Sequence, residues 1–368
     1  MTNNYSPKNF AFICSCLLLF IVASCKKDPG TSKQSTATPK KLGFYETITN
    51  SHRVLMMSVS KVGTQATPYK LVFDTGSGGM VMDGNSVIPA SMITSTGFNF
   101  TGDSTVVNGI TITSQKNQVV YGDDNNTLDT VYGNLAYADV TVGDANGNIV
   151  VKHMPFFLYY KAISTQGVQF APHAFDVLGV SSEYDIFFPN GSYITSPFNY
   201  YDPGAGLTKG FKMAALGISN FTASGTYVAA ITLGLTSTDL SGSGFNLISL
   251  LNLPNEGYIP LVPGSVGLTN DNVPTEMLFD TGTSPYSIIE DPNAPADGVY
   301  TLSTNNFVAI STSTGFTYSY TVGAAQNLTL VENPSYSGTG VTIFGLDFFI
   351  DNEYLLDFTN HQLGVKTN

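Results

Sequence analysis

Short apolar stretches separated by turn signals run through the chain from Gly43 onward. Residues 138–142 alternate between apolar and polar side chains, which is the period of a half-buried β-strand. Asn146-Gly147 lies at the centre of residues 144–148, and this dipeptide favours a tight β-hairpin turn. The pattern therefore predicts many short strands joined by tight turns.

Helical patterns are few. Residues 245–253 give the best match to a short helix, and residues 349–355 give a second one. Residues 182–212 contain Pro, Gly, Asn and Tyr without a clear period. We therefore predict that they form long surface connections near the boundary between two halves of the protein.

The composition supports an all-β protein. Of the 368 residues, 42% are hydrophobic and only 11% are charged, with 36 Gly, 20 Tyr and 24 Phe. Aromatic and β-branched residues favour strands, and glycine favours turns. The length suffices for two domains or one large bilobal unit. These proportions exclude a chain built from long charged helices or coiled coils.

The net charge restricts the partners. It is −12, and Arg53 is the only arginine. A chain of this charge lacks the basic surface that a phosphate backbone requires, so we expect no nucleic-acid partner. An acidic, lysine-poor surface is partly neutralised at low pH, which fits a protein that works in acid without requiring it.

The N-terminus predicts export. Lys8 precedes an apolar run over residues 10–23, which is too short to span a membrane and is typical of a secretory signal peptide. The run ends in Val-Ala-Ser-Cys at residues 22–25, which resembles a bacterial lipobox. We expect a lipoprotein signal peptide over residues 1–24 and lipidation of Cys25. The alternative is an ordinary signal peptide that contains a cysteine.

Residues 25–42 are rich in Lys, Thr, Ser and Pro and are expected to form a flexible tether, with an inhibitory prosegment as the alternative. A lipid on Cys25 would hold the protein in the cell envelope outside the cytoplasm, at the outer membrane or cell surface. All the cysteines, Cys14, Cys16 and Cys25, lie in this first part of the chain, and the four histidines are scattered. We therefore expect no metal site and no cofactor.

One string occurs twice. Residues 71–77 are Leu-Val-Phe-Asp-Thr-Gly-Ser, and residues 277–283 are Met-Leu-Phe-Asp-Thr-Gly-Thr. A carboxylate after three apolar residues is costly to bury unless it is hydrogen-bonded. The glycine allows a tight turn whose N–H groups reach the carboxylate, and the final hydroxyl can donate to it. The candidate catalytic residues are Asp74 and Asp280, supported by Thr75, Gly76, Ser77, Thr281, Gly282 and Thr283.

The duplication predicts two lobes related by a pseudo-twofold axis, with Asp74 and Asp280 facing each other across it. Two carboxylates a few ångströms apart do not both ionise readily, so they share one proton. Such a pair can hold a water molecule. One carboxyl group then takes the proton of the water while the other donates to a carbonyl oxygen.

At these residues the chain resembles the pepsin-like aspartic peptidases. Companion elements follow in the family's order: an entry hairpin at residues 63–70, a flap tyrosine at Tyr121-Gly122, and hydrophobic-hydrophobic-Gly elements at residues 175–179 and 343–345. The rival flap position is Tyr132-Gly133. In the family, each hydrophobic-hydrophobic-Gly element packs beside the Asp-Thr-Gly loop of its own lobe. The resemblance runs patchily over residues 44–366.

Several features depart from the family pattern. The body has no disulfide and no Trp, and Gly78-Gly79-Met80 replaces a bulkier run after the first motif. An acidic insertion at residues 123–129 extends the flap. It is most simply a solvated loop tip, and the alternative is that it disfavours acidic substrates or holds a cation. His173 lies just before the element at residues 175–179, where a lone histidine is more often structural than catalytic.

The resemblance implies an all-β, bilobal fold with a cleft between the lobes, which we place at residues 43–222 and 223–368. It implies an acid-favoured aspartic endopeptidase that binds extended polypeptide with apolar side chains, and we expect a monomer. The alternative is a non-catalytic, surface-anchored binding protein for peptide or glycan. A peptidase specialised for one processing event is a third reading.

Overall fold

The computed structural model describes residues 37–368 except 50–51, 86, 123–127, 185, 221–223 and 269–270. The signal peptide, Cys25 and most of the acidic insertion lie outside the described residues. The first strand begins at Lys40, within the stretch assigned to the tether. Among the described residues, no helix has both the length and the apolar character needed to cross a membrane.

Strands form nearly all the regular structure of the described chain, as the alternating pattern and the composition predict. They are β1 (Lys40–Thr49), β2 (His52–Val62), β3 (Gln65–Ala66), β4 (Lys70–Asp74), β5 (Gly78–Asp83), β6 (Ile93–Thr94), β7 (Gly97–Phe98), β8 (Ser104–Val107), β9 (Ile110–Tyr121), β10 (Asp129–Asp144), β11 (Gly147–Ile163), β12 (Val177–Val180), β13 (Ile186–Phe187), β14 (Tyr193–Ile194) and β15 (Thr208–Met213). They continue with β16 (Tyr227–Leu235), β17 (Asn246–Ser249), β18 (Leu251–Leu253), β19 (Gly257–Ile259), β20 (Val262–Leu268), β21 (Asp271–Phe279), β22 (Tyr286–Glu290), β23 (Val299–Thr301), β24 (Phe307–Thr312), β25 (Thr317–Thr321), β26 (Leu328–Glu332), β27 (Val341–Phe344), β28 (Asn352–Asp357) and β29 (Gln362–Thr367).

Helices are short. The α-helices are α1 (Ser237–Ser241), α2 (Pro334–Ser337) and α3 (Phe348–Asp351), and single 3₁₀ turns lie at Ala90–Met92, Pro197–Tyr200 and Ile218–Asn220. The strongest helix start is that of α1, where Thr236 and Asp239 form a capping box.

Two large sheets carry the two motifs. A 15-stranded sheet runs in the order β17-β29-β28-β15-β16-β1-β2-β4-β12-β5-β11-β10-β9-β8, with β3 on β2. An 8-stranded sheet runs β23-β26-β22-β27-β21-β20-β24-β25. The first Asp-Thr-Gly motif ends β4 in the larger sheet, and the second follows β21 in the smaller one. The larger sheet takes strands from both sides of residue 222, and the lobe boundaries given above stay a prediction.

Aromatic clusters anchor the strand that leads into each motif. Phe73, next to Asp74, is fully buried and lies 4.5 Å from the ring of Phe44. Phe279, next to Asp280, is also buried and stacks at 4.3 Å on Phe348. Burial of each ring contributes about 2 kcal/mol. A buried phenylalanine next to each aspartate therefore fixes the backbone that carries it.

The expected hairpins are present. Asp144 pairs with Gly147 across the turn between β10 and β11. Val62 pairs with Gln65 across the turn at Gly63, whose φ of 58° suits glycine. Both turns connect antiparallel strands, as the sequence predicts.

The helix predicted over residues 245–253 is wrong, and the helix predicted over residues 349–355 is present only in its first part. Residues 246–249 and 251–253 form strands, because β17 pairs with β29 and buries Ile248. Helix α3 ends at Asp351, and β28 follows at once with its last four residues, 354–357, buried. Short apolar runs do not distinguish a helix from a buried strand, and here sheet pairing decides.

Residues 182–212 are not simply surface connections. Phe188, Ile194, Phe198 and Phe211 are fully buried, and the last two rings lie 5.3 Å apart. The large apolar side chains in this stretch pack under the sheet even though their spacing has no period, because short strands and 3₁₀ turns change direction often.

Candidate active site

Asp74 is held by the turn that follows β4. Its side chain is 9% exposed. The N–H groups of Gly76 and Ser77 donate to its Oδ1 at 2.7 and 3.1 Å, and the Ser77 hydroxyl donates to Oδ2 at 2.6 Å. The local turn therefore supplies three hydrogen bonds that favour the ionised carboxylate.

Asp280 has two of the same contacts. It is also 9% exposed. The Gly282 N–H donates to its Oδ1 at 2.7 Å, and the Thr283 hydroxyl donates to Oδ2 at 2.5 Å. The same atoms at the same spacing thus serve both aspartates, as a duplicated motif requires.

The two carboxyl groups meet. The Gly76 N–H, which binds Asp74, also lies 3.1 Å from Oδ1 of Asp280, so one amide contacts both side chains. The space at Gly76 is correspondingly tight, because an added Cβ would lie 2.6 Å from Cγ of Asp280. The structure thus brings Asp74 and Asp280 together at one point, with their Oδ1 atoms on the shared side.

Thr75 and Thr281 join the two motifs underneath the aspartates. The Thr75 hydroxyl donates to the Phe279 carbonyl, and the Thr281 hydroxyl donates to the Phe73 carbonyl, each at 2.8 Å. The Thr75 hydroxyl also accepts the Thr281 N–H at 3.0 Å, and the Thr281 hydroxyl accepts the Thr75 N–H at 3.1 Å. Both side chains are fully buried. This reciprocal contact was not foreseen from the sequence, although a threonine repeated between Asp and Gly was its visible signal.

Replacing Thr281 by valine is expected to destabilise the chain by roughly 3 kcal/mol, since the Phe73 carbonyl and the Thr75 N–H would both lose a partner. The shape of the side chain is nearly kept, so the loss reflects hydrogen bonds rather than packing. Chemical denaturation measures it. Thr317→Val, on the exposed face of β25, is the matched control and should change the unfolding free energy little. Equal effects of the two substitutions would contradict the contact.

Two glycines let a neighbouring strand approach each motif. Gly179 of β12 pairs in parallel with Asp74, and an added Cβ there would lie 2.7 Å from the Ser77 carbonyl oxygen. An added Cβ at Gly345 would lie 2.6 Å from the Thr283 carbonyl oxygen. The hydrophobic-hydrophobic-Gly elements therefore pack beside the two Asp-Thr-Gly loops, as the family resemblance implies.

Burial and charge shift the pKa of Asp74. Burial raises the pKa of Asp74 well above its usual range, and the negative charge and hydrogen bond of Asp280 add to the increase. The hydrogen bonds from Ser77 and Gly76 oppose it. The pair therefore retains a proton at a pH where an ordinary carboxyl group has lost it.

The residues predicted for the flap, Tyr121 and Gly122, lie at one end of a hairpin. Tyr121 ends β9 opposite Asp129 on β10, and Gly122 follows with a φ of 140°. The Tyr121 ring stacks on Phe175 at 5.8 Å. Tyr132, the rival position, lies further along β10, where the Lys161 ammonium sits 4.5 Å from its ring centre. Tyr121 is thus the tyrosine at the hairpin end.

Over the described part of the chain, no group of three His, Cys, Asp or Glu side chains is arranged to hold a metal ion. The chemistry that the site can perform with its own residues is proton transfer by a carboxyl pair to and from a water molecule. Cys25 lies outside the described residues, so its lipidation stays a prediction.

Comparison with known proteins bears on the fold. No family model matches the sequence, and no curated protein matches it. Among solved structures, the crystal structure of aspartic proteinase from Irpex lacteus is similar, with a TM-score of 0.57 and 18% sequence identity, over 89% of this chain and 97% of that chain. The expected fold is therefore confirmed: the chain has the all-β, bilobal fold of pepsin-like aspartic proteinases.

Proposed function

We propose that the chain is an aspartic endopeptidase in which Asp74 and Asp280 jointly activate a water molecule to hydrolyse peptide bonds. The observation that carries the proposal is the Gly76 N–H, which lies within hydrogen-bonding distance of both carboxyl groups. A pair of like-charged groups held this closely is unfavourable in a purely structural role, and it is the arrangement that general acid and base catalysis needs.

The proposed mechanism uses one proton shared by the pair. One carboxylate takes a proton from the bound water as the water attacks the peptide carbonyl carbon, and the other carboxyl group donates its proton to the carbonyl oxygen. The Ser77 and Thr283 hydroxyls donate to the Oδ2 atoms, and backbone N–H groups donate to the Oδ1 atoms on the shared side, so both carboxyl groups are held in place around the bound water. Proton return to the amide nitrogen then allows the C–N bond to break.

The substrate in this proposal is an extended polypeptide with apolar side chains. It lies in the cleft as an added strand, under the β9–β10 hairpin with Tyr121 at its end. The protein acts as a monomer in the cell envelope, anchored through a lipid on Cys25. Each aspartate keeps a backbone N–H donor and a hydroxyl donor from its own turn, which supports catalysis over the alternative of a non-catalytic binder of peptide or glycan.

The test is cleavage of an unfolded protein between about pH 3 and 7 by a chain that starts at Cys25 and so keeps β1 whole. Activity should be highest in acid and fall as pH rises through the raised pKa of Asp74, because the pair then loses its shared proton. A statine peptide, which mimics the transition state, should abolish cleavage, whereas a metal chelator, the control, should not. Cleavage that resists the statine peptide would refute the proposal. A folded chain that neither cuts nor binds the statine peptide would favour the binder.

A further inference from the structure

A second buried cluster of titratable side chains lies in the larger sheet and has no part in the proposed mechanism. It consists of Asp83 at the end of β5, Tyr159 on β11, and His173 and Asp176 in the loop before β12. Asp83 is 2% exposed and Asp176 is 4% exposed. Two carboxylates at this depth are costly unless hydrogen bonds and an opposite charge compensate them.

His173 makes the contacts that bind the cluster together. Its Nδ1 lies 2.8 Å from Oδ2 of Asp176, and its backbone N–H donates to Oδ2 of Asp83 at 2.9 Å. Its ring stacks on Tyr69 at 3.9 Å, and its φ of 64° places the backbone in the left-handed region. The residue is therefore held by its ring, its side-chain nitrogen and its backbone together.

The two carboxylates are also linked to each other. The backbone N–H of Asp83 donates to Oδ1 of Asp176 at 2.8 Å. The backbone and side chain of Asn85 donate to Oδ1 of Asp83 at 2.8 and 2.7 Å. The second oxygen of each carboxylate, Oδ2, contacts His173: that of Asp83 accepts the His173 backbone N–H, and that of Asp176 lies next to the ring Nδ1. The cluster is a closed network in which the imidazole is the group that can carry a positive charge.

The network holds Phe175, which lies between His173 and Asp176 in sequence. The Phe175 N–H donates to the Tyr159 hydroxyl at 3.3 Å, and the Phe175 ring stacks on Tyr121 at the end of the flap hairpin. On the other side, the Asp176 carbonyl accepts the N–H of Val72 at 2.9 Å, two residues before Asp74. The cluster thus fixes the ring that supports the flap relative to the strand that carries a catalytic aspartate.

We propose that His173, as an imidazolium bound to Asp176, is a positioning residue for the flap: it holds residues 173–176 so that Phe175 presents a fixed face to Tyr121. The inference rests on the proposed function, in which the flap covers the substrate. It assigns to this chain a second charged site that acts on substrate binding without touching the substrate.

The charge of His173 depends on pH in a direction that suits an acid peptidase. The hydrogen bond to Asp176 raises the pKa of His173; burial opposes the shift, and the charges of Asp176 and Asp83 add to it. Tyr69 and Tyr159 are the other titratable groups around the cluster. The ion pair is complete below the usual histidine pKa of about 6.5 and is lost as pH rises through the raised value in the folded chain. The flap support is therefore complete in acid.

His173→Asn is the informative substitution. Asparagine tolerates left-handed backbone, and its side-chain N–H can replace Nδ1, but it carries no charge. His153→Asn is the matched control, because His153 also has a positive φ, of 45°, and stacks on a tyrosine, Tyr137, at 4.9 Å. His153 is exposed and contacts Asp139 and Tyr137, neither of which belongs to the cluster.

In acid, near pH 5, H173N is expected to raise KM about fivefold with kcat within about twofold, because the flap is looser while the carboxyl pair is intact. Hydrogen exchange of residues 112–121 and 128–135 should be about fivefold faster than in the wild type at that pH. The difference between the two proteins should narrow toward about pH 8, because the wild-type imidazole loses its charge as pH rises through its raised pKa. H153N should match the wild type throughout.

An H173N chain that matches H153N in KM and in flap exchange would overturn the proposal, as would faster exchange of equal size at both pH values. If H173N does not fold, the wild-type chain alone provides the test. Hydrogen exchange of its flap, corrected for the intrinsic rate, must become faster from the lower to the higher pH, and an unchanged rate refutes the proposal. Exchange needs no turnover. If the wild-type chain cuts nothing, the proposed peptidase activity is refuted. The exchange measurement still tests whether His173 holds the flap in place.

Discussion

Replacing Asp280 by asparagine is expected to lower kcat by about a thousandfold or more while the chain stays folded. Asparagine keeps the shape of the side chain, and its oxygen can still accept from Gly282 or Thr283. It has no carboxylate to take a proton from water and no acidic proton to give to the substrate. Either role of Asp280 in the proposed mechanism is then lost.

The loss should come with a shift in the titration of the other aspartate. Burial is the largest cause of the raised pKa of Asp74, and the charge of Asp280 adds to it, so removal of that charge should lower the pKa of Asp74 while burial keeps it above the ordinary range. Cleavage rates in acid, together with circular dichroism to verify the fold, measure the first effect. Asp202→Asn is the matched control: Asp202 is exposed, and asparagine can still accept the Gly204 N–H. A D280N chain that keeps a tenth of wild-type activity would contradict the joint role of the pair.

The contacts inside each motif were predictable because they are local. A carboxylate followed by Gly and a hydroxyl residue forms hydrogen bonds two and three residues onward, and the structure shows them at both Asp74 and Asp280. The doubling of the motif also indicated that the two aspartates face each other. The all-β class followed from the composition and the strand pattern, whereas the bilobal architecture followed from the resemblance of the doubled motif and its companion elements to the pepsin-like aspartic peptidases.

The contacts between motifs were not predictable in the same way. Thr75 and Thr281 are 206 residues apart, and their reciprocal hydrogen bonds depend on how the two sheets meet. The cluster around His173 likewise joins a strand end at Asp83 to a loop 90 residues later. In both cases the pattern along the chain marks the residues as unusual, and only the three-dimensional arrangement shows their partners.

The failed helix at residues 245–253 has the same cause. Its apolar spacing suits either a helix or a strand, and the pairing of β17 with β29, from the end of the chain, selects the strand. Tertiary pairing overrides a weak local preference there. It does not override the Asp-Thr-Gly turn, where the hydrogen bonds lie within four residues.

Replacing Gly76 by alanine is expected to lower kcat/KM by about a hundredfold or more. The new Cβ would lie 2.6 Å from Cγ and 2.8 Å from Oδ1 of Asp280, closer than carbon and oxygen atoms can approach without a bond. Either the Asp280 carboxyl group or the turn after Asp74 must therefore move. Both movements separate the pair from the N–H that now contacts both carboxyl groups.

Gly298→Ala is the matched control for this substitution, because no atom lies within 4 Å of a Cβ placed there. Comparing kcat/KM and the affinity for a statine peptide in the two variants isolates the effect of crowding from the general cost of removing a glycine. Alanine at Gly282 should act in the same direction but less strongly, since its Cβ would lie 3.0 Å from Cγ of Asp74. If G76A and G298A cleave equally well, the carboxyl groups do not meet at Gly76 in solution, and the joint mechanism loses its geometric basis.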